Sequence, residues 1–192
     1  MYTNGAGNFS GWLHRYVQYA GLQQHGRTQL APTSGAMGYG LPAAIGVQAA
    51  HPKALVIDIA GDASVQMTMQ EMSTAMQYDL PIKIFILNNE YMGMVRQWQE
   101  LTYESRYSNS YSDSLPDFVK LAEAYGCLAI RVEKEEEIDA AIKLAIETND
   151  RPVVIDFIVG RDAMVWPMVP AGVSNDQVQY ARDAAPVWDG EE

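Results

Sequence analysis

Apolar runs and helical stripes alternate along most of this chain, and their order predicts strands alternating with helices. Ala54 to Ala60 (Ala-Leu-Val-Ile-Asp-Ile-Ala) is almost continuously apolar, the pattern of a strand covered on both faces. Val65, Met69, Met72 and Met76 then recur at i, i+4, i+7 and i+11, which predicts one helix packed on the sheet. Ile82 to Leu87 reads as the next strand, so the unit is βαβ. Further on, Ser114, Pro116 and Asp117 form a helix-start arrangement, and Phe118, Leu121, Ala122 and Tyr125 make an apolar face that ends at Gly126. A short strand, Leu128 to Val132, follows. The next helix begins acid-rich at Glu133 to Glu137, as its dipole favours, and turns Ile138, Ala141, Ile142 and Ala145 inward. Pro152 opens the strand Val153 to Val159. This alternation predicts an α/β fold, a doubly wound parallel sheet with helices on both faces. Residues 1–160 form the domain and 161–192 a C-terminal tail. Tyr103 to Ser114, polar and aromatic, reads as a mobile loop.

A parallel sheet of this kind binds its ligand beyond the carboxyl ends of its strands. The strand ending at Ala60 delivers Gly61-Asp62-Ala63-Ser64, and the strand ending at Leu87 delivers Asn88-Asn89. One carboxylate and one carboxamide are oxygen ligands suited to a hard cation such as Mg²⁺, which completes its octahedron with waters and phosphate oxygens. The small residues Gly61, Ala63 and Ser64 let backbone N–H groups at a helix start approach a phosphate. A diphosphate bridged through Mg²⁺ is the implied ligand. Taken singly, each dipeptide is equally a turn, with Ser64 as a helix cap.

Together, Asp62 and Asn89, 27 residues apart with a helix and strand between, resemble the thiamine diphosphate signature, Gly-Asp-Gly followed by Asn-Asn. Ala63 in place of the third glycine is similar to the acetohydroxyacid (acetolactate) synthase branch, where Gly-Asp-Ala-Ser is usual. Thr33-Ser34-Gly35-Ala36-Met37-Gly38-Tyr39-Gly40 looks like the segment that holds the aminopyrimidine ring in that family. By this resemblance Gly35, Ala36 and Met37 contact the cofactor, Met37 also wedging it into a bent shape. Asn88 to Trp98 (Asn-Asn-Glu-Tyr-Met-Gly-Met-Val-Arg-Gln-Trp) looks like the segment after the signature. There Asn89 and the backbone oxygen of Tyr91 would join Asp62 on the metal, Gly93 and Met94 would lie against the cofactor, and Met94 and Trp98 would line the substrate entrance. Pro167-Met168-Val169-Pro170 is similar to a tail that folds over the active site. One stretch departs from the pattern, Gly7-Asn8-Phe9 standing where the synthases carry Gly-Gln-His. Asn8 is left as a neutral donor toward the diphosphate.

The resemblance implies a transferase of branched-chain amino acid biosynthesis that condenses pyruvate with a second 2-oxo acid, pyruvate or 2-oxobutyrate, with loss of CO₂. It implies thiamine diphosphate and Mg²⁺ as cofactors, with FAD bound mainly outside this chain. The glutamate that activates the cofactor belongs to a separate pyrimidine-binding domain, so no catalytic residue is assigned here and the isolated chain is expected to be inactive. A homo-oligomer and a possible regulatory subunit follow from the same resemblance. The alternatives are another thiamine diphosphate-dependent 2-oxo acid decarboxylase or carboligase, and a non-catalytic Mg²⁺-phosphate-binding module.

Composition narrows the partners. A formal charge of −11 argues against a nucleic-acid surface, which needs clustered Lys and Arg. One cysteine, Cys127, excludes an internal disulfide, fits a reducing compartment and reads as a small buried hydrophobe. With no apolar run of membrane-spanning length, the chain is expected to be cytoplasmic, or in a stroma or matrix if eukaryotic. Gly5, Gly7 and Gly11 make a poor dinucleotide loop, with hardly any strand before them and no acidic residue on a following strand. His51 reads as a helix C-terminal cap, and His14 and His25 as surface residues without metal-ligand spacing. Arg96, two residues before Trp98, is either a surface ion pair or a ligand for a substrate carboxylate.

Overall fold

The computed structural model describes residues 1–19, 26–170 and 172–180; His25 lies outside them. The elements run β1 (Tyr2–Asn4), α1 (Asn8–Tyr16), β2 (Gln29–Leu30), α2 (Gly40–Ala50), β3 (Ile57–Gly61), α3 (Asp62–Gln66), α4 (Glu71–Gln77), β4 (Lys83–Asn88), α5 (Gly93–Thr102), α6 (Phe118–Ala124), β5 (Leu128–Val132), α7 (Ile138–Glu147) and β6 (Val153–Ile158). Six strands form one all-parallel sheet in the order β2-β1-β3-β4-β6-β5. From β1 the chain first builds outward to β2 and then returns to build β3 on the other side, the switch point where such sheets open a ligand crevice.

Alternation along the strands sends side chains to two cores. Ile84, Ile86, Val154 and Ala60 pack with Leu41, Met72, Phe118 and Cys127 on one face. Phe85, Val153, Ile155 and Phe157 pack with Ala141 and Ala145 of α7 on the other. The doubly wound expectation is therefore met.

Three expectations are corrected. The methionine stripe does not ride on one helix, because residues 67 to 73 bond i to i−3 (Met67 N to Ser64 O, Thr68 N to Val65 O, Glu71 N to Thr68 O) and split it into α3 and α4. The Thr68 hydroxyl, bonded to Gly38 O at 2.8 Å, holds that tightened turn against the preceding loop. The segment before Gly5 is a strand, only three residues long but central in the sheet. The helix at 118 starts where expected, capped by Asp117, whose side chain accepts from Val119 N and Lys120 N. Finally, Tyr103 to Ser114 is not loose: Met92 N donates to Ser110 O at 2.8 Å, Ser112 N donates to Glu90 O at 2.9 Å, and Tyr91 bridges Tyr111.

Two charged residues sit inside strands that read as apolar. Lys83 is buried, and its ammonium donates to Thr148 O at the carboxyl end of α7, where a cation complements the helix dipole. Burial lowers its pKa to about 8. Asp58 is buried beneath α2 and, among the described residues, accepts only from the Thr3 hydroxyl at 3.1 Å, its second oxygen having no partner there. A Cβ on Gly40 would stand 2.1 Å from Asp58 Oδ1, so only glycine lets α2 begin there. His51 occupies the C-cap of α2, as expected. On the far side α1 seats through Phe9, whose ring lies where a Gly61 Cβ would be, 2.6 Å from Cδ1.

Burial raises the Asp58 carboxyl from 3.8 to about 7. Folding therefore takes up a proton between those values, and Asp58 costs stability increasingly as pH rises through that window. Asp58→Asn should stabilise the chain by roughly 2–4 kcal/mol at pH 8 and by little at pH 4, measured by urea unfolding; a gain independent of pH would contradict this. Gly61→Ala should cost about 1–3 kcal/mol by overpacking, and Phe9→Leu should recover most of it in the same assay. Additive losses would show that the contact is not the cause.

Candidate functional site

Beyond the carboxyl ends of β1, β3 and β4 lies a cavity of about 310 Å³. Three segments wall it: Ala6 to Phe9 before and within α1, Gly61 to Ser64 at the β3–α3 junction, and Asn89 to Val95 running into α5, with Gly35, Met37, Trp12 and Trp98 completing the lining. Register explains the meeting. Ile57 pairs with Lys83 and Gly61 with Leu87, so Asp62 leaves β3 beside the exit of Asn88-Asn89 from β4.

Asp62 is 1% exposed. Its Oδ1 accepts from Ala63 N at 2.6 Å, while Oδ2 is buried without a hydrogen-bond partner among the described residues. Desolvation pushes its carboxyl up to about 6, against the pull of the backbone N–H groups of Ala63, Glu90 and Asn89. The Asn89 and Glu90 amides belong to a turn in which Glu90 is left-handed, with φ 60°. Asn89 Oδ1 accepts from Tyr91 N at 3.2 Å and shapes the same turn. Beneath it, Asn88 donates to Asp156 Oδ1 at 3.0 Å, and Asp156 Oδ2 accepts from Arg131 Nε at 3.1 Å. The Asn89 turn is thus anchored to the centre of the sheet.

Of the residues expected at the site, Gly35, Met37, Gly61, Asp62, Ala63, Ser64, Asn89, Tyr91, Gly93, Met94 and Trp98 line the cavity. Ala36 does not; its carbonyl accepts from Ala6 N at 3.1 Å and ties two of the loops together. Ser64 Oγ accepts from Gly38 N at 2.9 Å. The expectation of phosphate-facing amides at Ala63 is weakened, because the Ala63 N–H is taken by Asp62. The helix behind it has only five residues, so its dipole is small.

Asn8 lines the cavity, and its Nδ2 donates to Gln97 Oε1 at 3.0 Å, which fixes the orientation of its amide. Arg96 forms ion pairs, the first of its two expected readings, although its own side chain is largely covered. Its side chain is 11% exposed, lies 5.1 Å from the ring centroids of Tyr91 and Tyr107, and pairs with Glu100 at 3.1 Å and Asp162 at 2.7 Å. His14 is an exposed residue of the last turn of α1.

Sequence reasoning missed Phe9, Trp12 and Gln97. The aromatic pair within the glycine-rich stretch was a usable signal for the first two. Gln97 had none, because its partners Asn8 and Val165 lie 89 and 68 residues away. No helix among the described residues is long and apolar enough to cross a membrane.

Comparison with known proteins gives the family. Residues 5–157 match the model of the thiamine pyrophosphate enzyme C-terminal TPP-binding domain. The chain is 50% identical over its whole length to the acetolactate synthase large subunit of Corynebacterium glutamicum, of which it covers 31%. It is 47% identical to the large subunit of acetolactate synthase isozyme 3 of Escherichia coli, over 77% of this chain and 26% of that protein. It thus spans about a third or less of the length of these curated relatives. Among solved structures it is similar to the Rhodococcus jostii thiamine diphosphate-dependent 4-hydroxybenzoylformate decarboxylase, with a TM-score of 0.74, 31% identity, and coverage of 83% of this chain and 29% of that one. With Asp62 and the Asn89 turn converging at the carboxyl edge of a parallel sheet and a family match across most of the chain, this protein belongs to the thiamine pyrophosphate enzymes as their C-terminal TPP-binding domain.

Proposed function

We propose that this chain is the diphosphate-binding portion of a thiamine diphosphate-dependent acetolactate synthase, which condenses pyruvate with a second 2-oxo acid in branched-chain amino acid biosynthesis. The observation that carries the reading is Asp62 Oδ2, a buried carboxylate oxygen with no partner among the described residues, on the cavity wall that also holds Asn89. An unpaired buried acceptor is costly unless something else satisfies it, and a hard cation does so with the oxygen donors available here. Asp62, the Asn89 side chain and the Tyr91 backbone oxygen would hold Mg²⁺, and Mg²⁺ would hold the diphosphate. When bound, thiamine diphosphate supplies the electron sink for decarboxylating 2-oxo acids.

The chain's own residues bind, orient and exclude water. Asp62 and Asn89 anchor, and neither moves a proton in the reaction. Met37, from the loop before α2, and Met94, in the first turn of α5, grip the cofactor, Gly93 leaves room beside Asn89, and Met94 and Trp98 border the substrate path. Gly35, Ala36, Gly61, Ala63 and Ser64 shape the backbone around the diphosphate. Residues 1–160 form the binding domain and 161–192 the C-terminal tail, of which Val165 to Met168 lie against α1 and α5 as a cover. The activating glutamate comes from a pyrimidine-binding domain or chain, FAD sits outside this portion, and the assembly is a homo-oligomer.

Calorimetry with thiamine diphosphate, with the pyrimidine-binding domain supplied, tests the reading. Binding should require Mg²⁺, and Asp62→Ala or Asn89→Ala should weaken it about 100-fold or more. Unchanged affinity in Asp62→Ala, or no binding at all, would overturn the proposal. The likeness to a 4-hydroxybenzoylformate decarboxylase raises simple decarboxylation as the second reading. Product analysis with pyruvate separates the two, acetolactate supporting the first and acetaldehyde the second.

A further inference from the structure

The Gln97 side chain is buried in α5, and both ends of its carboxamide are occupied. Oε1 accepts from Asn8 Nδ2 at 3.0 Å and from Val165 N at 3.1 Å. Nε2 donates to Val165 O at 3.1 Å and lies 3.1 Å from Met168 Sδ. One side chain therefore pairs with both the N–H and the C=O of Val165, as a neighbouring strand's peptide group would. It also bonds the first residue of α1.

The three joined segments are remote in sequence and close in function. Asn8 lines the proposed cofactor cavity, and α5 carries Met94 and Trp98 on its wall. The Val165 methyls press on Gly11 of α1, where a Cβ would come within 3.1 Å. A second cavity of about 390 Å³, lined by His14, Trp98, Pro167 and Met168, opens beneath this clasp and shares Asn8, Met94 and Trp98 with the first. Gln97 itself lines the second cavity and reaches the first through Asn8, so it supports the walls of both.

We propose that Gln97 is a positioning residue that couples the Val165–Met168 segment to the Gly7-Asn8 loop, so that ordering either one favours the other; the link to cofactor rests on the reading of the first cavity given above. Geometry makes the residue hard to replace. Glutamate at 97 keeps the acceptors but loses the donation to Val165 O, and asparagine is one carbon too short to reach both partners. Coupling of this kind is reciprocal, so cofactor held against Asn8 must tighten the tail to the same degree that the tail tightens cofactor.

Hydrogen exchange of the Val165 amide in the full chain, read by NMR, tests it. Gln97→Glu and Gln97→Ala should speed that exchange about ten-fold, and Asn8→Ala several-fold though it touches no tail atom, while Ile84 and Ile155 amides in the sheet keep their rates. Unchanged Val165 exchange in Asn8→Ala, alongside faster exchange in Gln97→Glu, would reduce Gln97 to a local clip and overturn the coupling. With the pyrimidine-binding domain supplied, thiamine diphosphate with Mg²⁺ should slow Val165 exchange in the unaltered chain and not in Gln97→Glu; slowing to the same extent in both also overturns it. Failure of the cofactor to bind the unaltered chain with that domain present would count against the cavity assignment, and the Asn8→Ala comparison still decides the coupling.

Discussion

The in-register parallel pairing of β3 with β4 is the constraint on which the site depends. Because Gly61 stands opposite Leu87, the chain leaves both strands at the same height and on the same edge. Asp62 and the Asn89 turn then meet without any long-range reach by a flexible side chain. A slip of one residue would turn every side chain of β3 to the wrong face, burying Ile57 and Ile59 where Asp58 and Ala60 now sit. The apolar packing on both faces fixes the register, and the register fixes the site.

Around that pair the protein invests in rigidity. The Asn89 turn is held from below by Asn88, Asp156 and Arg131, and from the side by the strand-like contacts of residues 110–112. Arg96 is clamped between two tyrosine rings and two carboxylates just after the turn. Asp62 is left with one buried oxygen unsatisfied in the middle of this scaffold. Such an arrangement favours a ligand that brings positive charge, since the carboxylate already tolerates desolvation only with the help of nearby amides.

The sequence made the strands legible because strands covered on both faces leave no polar periodicity to misread. The Leu128 to Val132 strand agrees at both ends and the three other expected strands agree within a few residues, whereas β1 and β2 are too short to leave an apolar run and were not read. Asp62 and Asn89 were legible for the same reason, each standing at the end of such a run. Lys83 and Asp58 were not, because hydrophobic patterning cannot show that a charged residue inside an apolar run has a private partner, Thr148 O for one and the Thr3 hydroxyl for the other. The broken methionine helix was hidden because i to i−3 and i to i−4 bonding keep nearly the same stripe. Asn8 and Gln97 were invisible as a pair, their contact being set wholly by tertiary packing. The departure at Asn8-Phe9 now has a physical account: the shorter amide ends on Gln97, and the ring covers the bare backbone of Gly61.

The central claim is that one ion joins Asp62 and Asn89. Crystals grown with thiamine diphosphate and Mn²⁺ in place of Mg²⁺, measured for anomalous scattering at the manganese edge, would locate that ion directly. A single peak with a side-chain oxygen of each residue within about 2.0–2.3 Å is the predicted result. A peak elsewhere, or the two side chains turned away from a common point, would contradict the account.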